Sequence, residues 1–261
     1  MMTRLETLEL EKRNKVAIIY LNRPPYNPLN QKVFAEMSLL MDQLENDRDV
    51  NAIVITGKGD KAFAAGADIK EMAQLTDAEM IKMNKTSRAA LTQIQNSAKP
   101  VIAALNGLAL GGGLELALAC DLRICTEHAK MGLPEINLGI LPGGGGTQRL
   151  QRLIGQAKAK EMLFFGDVIN ANEAHALGLV SKVVPQEEFM DQVLAWADKL
   201  AEKPMLAMRM IKTSVNTGAN LDLESALDLE TTCFGVAFDS ADRKEGMQAF
   251  MEKRKPNFTS R

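Results

Sequence analysis

Cysteine and histidine are both scarce in this 261-residue chain, which has three of the first and two of the second. Cys120, Cys125 and Cys233 are odd in number and lack C-x-x-C spacing, so they read as reduced, mostly buried thiols rather than a disulfide framework. His128 and His175 lie far apart, without the i, i+4 spacing of a zinc pair on a helix. Counting alone leaves a Ser-His-Asp triad open, but His175 sits in ANEAHALGLV and reads as a helix-packing residue. Chemistry through histidine or a bound metal is not expected. Long apolar runs are missing too: none approaches the roughly 18 residues that span a bilayer. The start, MMTRLETLELEK, has no apolar signal core and is too acidic for a transit peptide, so a cytoplasmic location is the expectation. Charge of one sign is lacking as well. A net charge of −2 gives no reason to expect nucleic acid or acidic lipid as the main partner.

With 46% hydrophobic and 25% charged residues, the chain can bury a full core in one or two domains. Its most informative stretch is 97–148, which holds two glycine clusters, at 111–113 and 143–146, and two isolated carboxylates, Glu115 and Glu135. Residues 101–105 read as a buried strand, 106–112 as a turn, and 113–120 as a helix apolar around nearly its whole circumference. Glu115 is the one charged side chain between Val101 and Ala119. A Glu in a first turn complements the helix dipole, and a surface Glu needs no explanation, so either bland reading competes with catalysis. Glu135 repeats the anomaly before the run 136–141. Two such carboxylates beside backbone stripped of side chains favour a site where main-chain N–H groups and two titratable groups meet one small molecule. Neither glycine cluster is followed by Gly-Lys-Ser/Thr, and neither has dinucleotide-binding spacing. Glycines also serve turns that need positive φ. Three at a strand-to-helix junction do more, opening unpaired N–H groups to a developing negative charge.

Residues 4–21 predict a hairpin turning near Arg13-Asn14, with Leu5, Leu8 and Leu10 on its first arm. NRPPYNPLN is a loop, because Pro24, Pro25 and Pro28 break helix and strand alike. Asn30 caps a helix to about 46, and 52–56 is a buried strand. The loop GKGDKAFAAGADIKEM is small-residue at 64–67 and leads to a helix start near Asp68. A helix capped by Asp77 runs to about 95, and supplies the expected far wall of the pocket. After Cys120, DLRICTE and AKMGLPE read as short strands. From Thr147 on the chain reads as helices at 147–154, 156–165, 171–177, 187–202, 204–217, 221–238 and 242–253, interrupted by one strand at 180–184. The alternation of strands and helices implies a sheet with crossover helices, followed by a helical extension that folds back or packs on another subunit. Arg243, Lys244, Lys253, Arg254 and Lys255, interleaved with Phe250 and Phe258, form either a solvated basic face or a contact for ligand phosphates.

Four motifs, KAFAAGADIKEM (61–72), KPVIAALNGLALGGGLELALACD (99–121), MGLPEINLGILPGGGGTQRL (131–150) and DRKEGMQAFMEKRKPNF (242–258), together resemble the crotonase, or enoyl-CoA hydratase/isomerase, superfamily. The resemblance is strongest to the enoyl-CoA hydratases and covers nearly the entire chain. It implies an α/β fold, a crotonase-like spiral of βαβ units over residues 1–196 with a helical, trimerising C-terminal region at 197–261, assembled as a homotrimer or a hexamer made as a dimer of trimers. It implies reversible addition of water to a 2-enoyl-CoA in fatty-acid or related acyl-CoA degradation. The resemblance assigns the oxyanion donors to the N–H groups of Ala67 and Gly112, the catalytic carboxylates to Glu115 and Glu135, and water positioning to Gly143. Contacts to coenzyme A fall to Ala65, Ala67, Asp68, Ile69, Lys70, Phe234 and Lys253, the last two sometimes across a subunit boundary. No metal or redox cofactor is implied, since coenzyme A is part of the substrate. One departure stands out: many hydratases have Arg-Pro-Lys-x-Leu-Asn after the second strand, where this chain has Arg23-Pro24-Pro25-Tyr26-Asn27-Pro28, which removes the lysine contact to coenzyme A. The competing readings are an enoyl-CoA isomerase that needs one carboxylate, another acyl-CoA enzyme of the same fold, and a non-catalytic RNA-binding relative.

Overall fold

The structure is a computed structural model that describes residues 5–259; residue 4, at the start of the expected hairpin, lies outside them. The chain opens with the hairpin β1 (Leu8–Arg13) and β2 (Val16–Leu21), with Asn14 in the turn at φ 53°. It continues through α1 (Gln31–Glu45), β3 (Ala52–Gly57), β4 (Ala62–Ala65), the one-turn α2 (Ile69–Met72) and α3 (Asp77–Asn96). The middle holds β5 (Val101–Leu105), β6 (Leu108–Leu110), α4 (Gly112–Ala119), β7 (Leu122–Thr126) and β8 (Lys130–Gly132). A 3-10 turn at Pro134–Leu138 leads to α5 (Gly146–Ile154), α6 (Gln156–Phe165), β9 (Val168–Asn170), α7 (Ala171–Ala176) and β10 (Lys182–Val184). Helices α8 (Phe189–Ala201), α9 (Met205–Gly218), α10 (Leu223–Phe238) and α11 (Ala241–Met251) complete it. No helix among the described residues is long and apolar enough to cross a membrane.

The strands form two sheets. One has six strands in the order β1-β2-β3-β5-β7-β10, the other four in the order β4-β6-β8-β9. Each turn of the chain lays one strand on the larger sheet and the next on the smaller: β3 then β4, β5 then β6, β7 then β8. That alternation, mostly in parallel pairs, is the spiral. Residues 62–65 and 108–110 read from the sequence as loop and turn because they are three or four residues long and each runs into a glycine, Gly66 or Gly111. In the structure they are strands that pair with one another. Likewise β9 is a second strand inside the C-terminal half, paired antiparallel with β8.

The central strands of the larger sheet, β2, β3 and β5, are buried on both faces, which explains why they are continuously apolar rather than alternating like the edge strand β1. Ile53, Ile55, Val101, Ala103 and Leu105 pack toward α1, α3 and α4, while Val54, Ile102, Ala104 and Ile124 pack under Phe189, Val193 and Ala197 of α8. Asn30 caps α1 by accepting from the Val33 N–H, as its position before an amphipathic run predicts. The cap of α3 is Thr76 rather than Asp77. Thr76 and Glu79 form a reciprocal capping box, which leaves Asp77 as a dipole-compensating residue of the first turn.

Inside α1, the buried Glu36 accepts hydrogen bonds from the N–H groups of Glu6, Thr7 and Leu8 and from the Thr7 hydroxyl, at 2.7–3.1 Å. These donors hold its carboxyl below the usual range against the opposing effect of burial. Because bonds to a charged acceptor are the stronger kind, Glu36→Ala is expected to cost about 2–3 kcal/mol in urea unfolding. An unchanged midpoint would show that the N-terminal strand needs no such anchor.

Helix α9 is tied to the body by Lys212, whose ammonium pairs with Asp121 at 2.7 Å and donates to the Lys99 carbonyl at 3.2 Å. Beyond it, the last helices present Leu223, Phe234, Phe250 and Met251 largely exposed. Two of the five basic residues of this region are paired with carboxylates. Arg254 pairs with Glu245 and Glu252, Lys255 with Glu202, and the Arg243 guanidinium lies over the Phe238 ring at 4.1 Å. That arrangement fits a solvated face at Arg254 and Lys255.

Candidate active site

A cavity of about 660 Å³ opens where the smaller sheet, α3, α4 and the second glycine cluster meet. Its lining includes Ala65, Ala67, Ile69, Gly112, Glu115, Glu135 and Gly143. The three cysteines are buried and free, neither histidine lines the cavity, and His175 instead hydrogen-bonds the Val180 carbonyl through Nδ1.

One wall is set by the loop after β4. Leu29 bridges Ala67 as in a parallel pair: the Leu29 N–H donates to the Gly66 carbonyl and the Asp68 N–H to the Leu29 carbonyl, each at 2.9 Å. In an extended chain successive N–H groups point to opposite sides, so the Ala67 N–H, between these two bonds, faces the other way. There it meets Gly112, where an added Cβ would lie 3.8 Å from the Ala67 nitrogen. Gly112 opens α4, so its N–H has no acceptor within the helix. Neither N–H donates to another protein group among the described residues. Arg23 holds this wall in place through an ion pair with Asp68 at 2.9 Å. The departure at residues 23–28 thus keeps its arginine for a structural duty, and Asp68, serving also as N-cap of α2, does not line the cavity.

The two carboxylates enter from different elements. Glu115 is 5% exposed, and its Oε1 accepts the N–H groups of Gly144 and Gly146 at 2.8 and 2.7 Å. Burial raises its carboxyl above the ordinary value, and those two donors and the nearby Arg149 guanidinium offset this only in part. Glu135 lies on the 3-10 turn against Gly111, where a Cβ would sit 2.9 Å from its Oε1, and Gly111 takes φ +51°. Its Oε2 is buried without a hydrogen-bond partner among the described residues. Burial and the neighbouring Glu115 charge push Glu135 up to about 7. Two carboxyl groups on one cavity are therefore held differently: one braced by N–H donors, the other kept near half-protonation at neutral pH.

Helix α3 supplies Met80, Met83, Asn84 and Ser87 to the wall, and the chain after Glu135 supplies Leu138, Ile140 and Leu141. The sequence pointed to this helix for the far wall. The bracing of Glu115 by Gly144 and Gly146, and the Asn84 amide beside Gly143, went unforeseen because no local pattern says which glycine N–H turns to which side. Lys70 is exposed, and Lys70, Phe234 and Lys253 are not among the residues that line this cavity.

The chain matches the family described as enoyl-CoA hydratase/isomerase over residues 11–261. It is 46% identical over 257 residues to a crotonyl-CoA hydratase of Syntrophomonas wolfei, covering 98% of this chain and 99% of that one. To a short-chain-enoyl-CoA hydratase of Clostridium acetobutylicum it is 43% identical, covering 96% and 97%. The crystal structure of an enoyl-CoA hydratase from Bacillus anthracis superposes with a TM-score of 0.95 at 38% identity, covering 98% of this chain and 100% of that one.

Proposed function

The chain belongs to the enoyl-CoA hydratase/isomerase family, and from that premise we propose that it adds water reversibly to short 2-enoyl-CoA thioesters, giving 3-hydroxyacyl-CoA. The observation that carries the reading is the pair Glu115 and Glu135 on one cavity, beside two N–H groups without protein acceptors among the described residues. In the proposal the thioester oxygen lies between the N–H groups of Ala67 and Gly112. Negative charge grows there as the enolate forms, and each preorganised donor of this kind is worth about 3–4 kcal/mol. Water attacks C3 and gives its proton to the Glu115 carboxylate, whose Oε1 is already held, while Glu135 in its neutral form delivers a proton to C2. The Gly143 N–H orients the water. Dehydration uses the same groups with roles exchanged.

Ala65, Ile69 and Lys70 are assigned to the coenzyme A channel, which Phe234 and Lys253 reach from a neighbouring subunit. Residues 197–261 are assigned to trimer assembly, alone or within a dimer of trimers; the exposed Leu223, Phe234 and Phe250 support an assembly surface. The enzyme acts in the cytoplasm, with no cofactor beyond the coenzyme A of its substrate. The test is loss of the enoyl-thioester absorbance of crotonyl-CoA, with chromatography of the product. Formation of 3-hydroxybutyryl-CoA is expected, with slower turnover of decenoyl-CoA. A shifted double bond without hydration would point to an isomerase, and no turnover of either thioester would sink the proposal.

A further inference from the structure

One cation near the site has no carboxylate of its own. Arg149, on the first turn of α5, is half-buried and forms no ion pair among the described residues. Its guanidinium is held by neutral acceptors: Nη1 donates to the Gly144 carbonyl at 2.8 Å and Nε to the Gln95 side chain of α3 at 2.9 Å. Taking a guanidinium partly out of water against neutral groups is unfavourable unless a negative charge lies close by. The carboxylate that acts on it is Glu115.

The loop between them is built for this seating. Gly145 has φ +111°, and a Cβ there would come within 2.1 Å of Arg149 Nη1. Only glycine combines that conformation with room for the guanidinium. The arginine fixes the Gly144 carbonyl on one side of the loop, and the Gly144 and Gly146 N–H groups emerge on the other, both onto Glu115 Oε1. Gly143, one residue upstream, lines the cavity.

We infer that Arg149 is a positioning residue for hydration: through the Gly144 peptide it holds the glycine loop so that two N–H donors and one positive charge keep Glu115 ionised as the base. The inference rests on the reading of Glu115 as the group that takes the water proton. The charged groups acting on Glu115 are Arg149 from α5 and Glu135 from the 3-10 turn. On this cavity α3 presents the uncharged Asn84 and Ser87, and β4 and β6 carry no ionisable side chain. Removing the guanidinium takes away the positive charge that opposes the effect of burial on Glu115 and frees the loop, and both changes favour the protonated form of Glu115.

The experiment compares pH profiles of kcat/KM for crotonyl-CoA in the full-length enzyme and in Arg149→Gln and Arg149→Lys. Arg149→Gln is expected to move the acid limb up by about one pH unit and lower kcat about tenfold, with KM changed little, because a nearby opposite charge shifts a carboxyl by that order. Arg149→Lys, which keeps the charge but loses the fork, is expected to fall between, and it decides the matter should Arg149→Gln not fold. A second readout needs no turnover: titration of carboxyl-labelled glutamate by NMR, with the Glu115 signal assigned by its loss in Glu115→Gln. An acid limb or a Glu115 titration that does not move, or a raised KM with unchanged kcat, would overturn the inference. Failure of the unaltered enzyme to hydrate crotonyl-CoA would instead remove the functional reading, with the NMR titration still deciding whether Arg149 acts on Glu115.

Discussion

Glu135→Gln is expected to lower crotonyl-CoA hydration by about 10²–10⁴-fold, the range for losing a general acid or base, while making the folded protein more stable at pH 8. The two effects share one cause. Glu135 is held at about 7 because its carboxyl is buried, its Oε2 has no partner, and Glu115 repels its charged form. A carboxyl whose proton is held more tightly in the folded than in the unfolded chain lowers stability as pH rises. The loss begins near its ordinary value of 4.5, grows until about 7, and is constant above that. The full shift corresponds to about 3 kcal/mol, and the partial solvent exposure of the group reduces this to about 1–2 kcal/mol. Gln removes that cost at pH 8 and changes little near pH 4.5, where the folded carboxyl is protonated and the unfolded one is about half-protonated. Thermal melts of the two proteins at both pH values provide the check. A Gln variant that melts lower at pH 8 would mean the carboxylate is stabilised in a way the geometry does not contain. The same proton sets the alkaline limb of hydration, since the acid that must reach C2 is lost as pH passes about 7.

How far the sequence carries can be judged from individual residues. The helix α4 and the strand β5 were legible because their apolar pattern is unbroken, and Glu115 stood out as the lone charge among them. Asn30 was legible because capping is local chemistry. Most of the second sheet was not. Lys130–Gly132 falls inside the strand expected at AKMGLPE, but segments as short as Ala62–Ala65 and Leu108–Leu110 have no periodicity of their own, and they are strands because successive turns of the spiral bring them side by side. The site divides in the same way. Ala67 and Gly112 could be assigned only through resemblance, because their meeting depends on the Leu29 bridge from a distant loop. The bracing of Glu115 depends on Gly145 taking a left-handed turn around Arg149, which follows from packing rather than from any motif of glycines. Likewise the pairing of Arg23 with Asp68 joins two loops far apart in the chain, and no local pattern announces it.

The adjacent glycines of the first cluster are expected to separate fold from chemistry. In Gly113→Ala the new methyl would lie 1.9 Å from the Ala64 carbonyl oxygen and 2.7 Å from its carbon, both backbone atoms of β4. Nothing flexible can yield there, so α4 must move away from the smaller sheet, and the gap between Ala67 and Gly112 opens with it. A loss of more than about 3 kcal/mol is expected, the scale of severe overpacking, together with loss of activity in whatever fraction folds. In Gly112→Ala the methyl meets only ordinary contacts, with Leu29 at 3.6 Å and the Ala67 nitrogen at 3.8 Å. Gly112 also has no positive φ to disfavour a side chain. Stability within about 1 kcal/mol of the parent is expected, since a helical Ala is at least as favourable as Gly. The methyl nevertheless enters the space between the two N–H groups, where the thioester oxygen is proposed to sit. A displaced oxyanion should lower kcat by about 10²-fold or more, on the scale of losing one donor. Urea unfolding and crotonyl-CoA kinetics on both variants give the contrast: one protein that folds poorly, and one that folds well and turns over slowly. A stable, fully active Gly112→Ala would show that the oxygen lies elsewhere in the cavity.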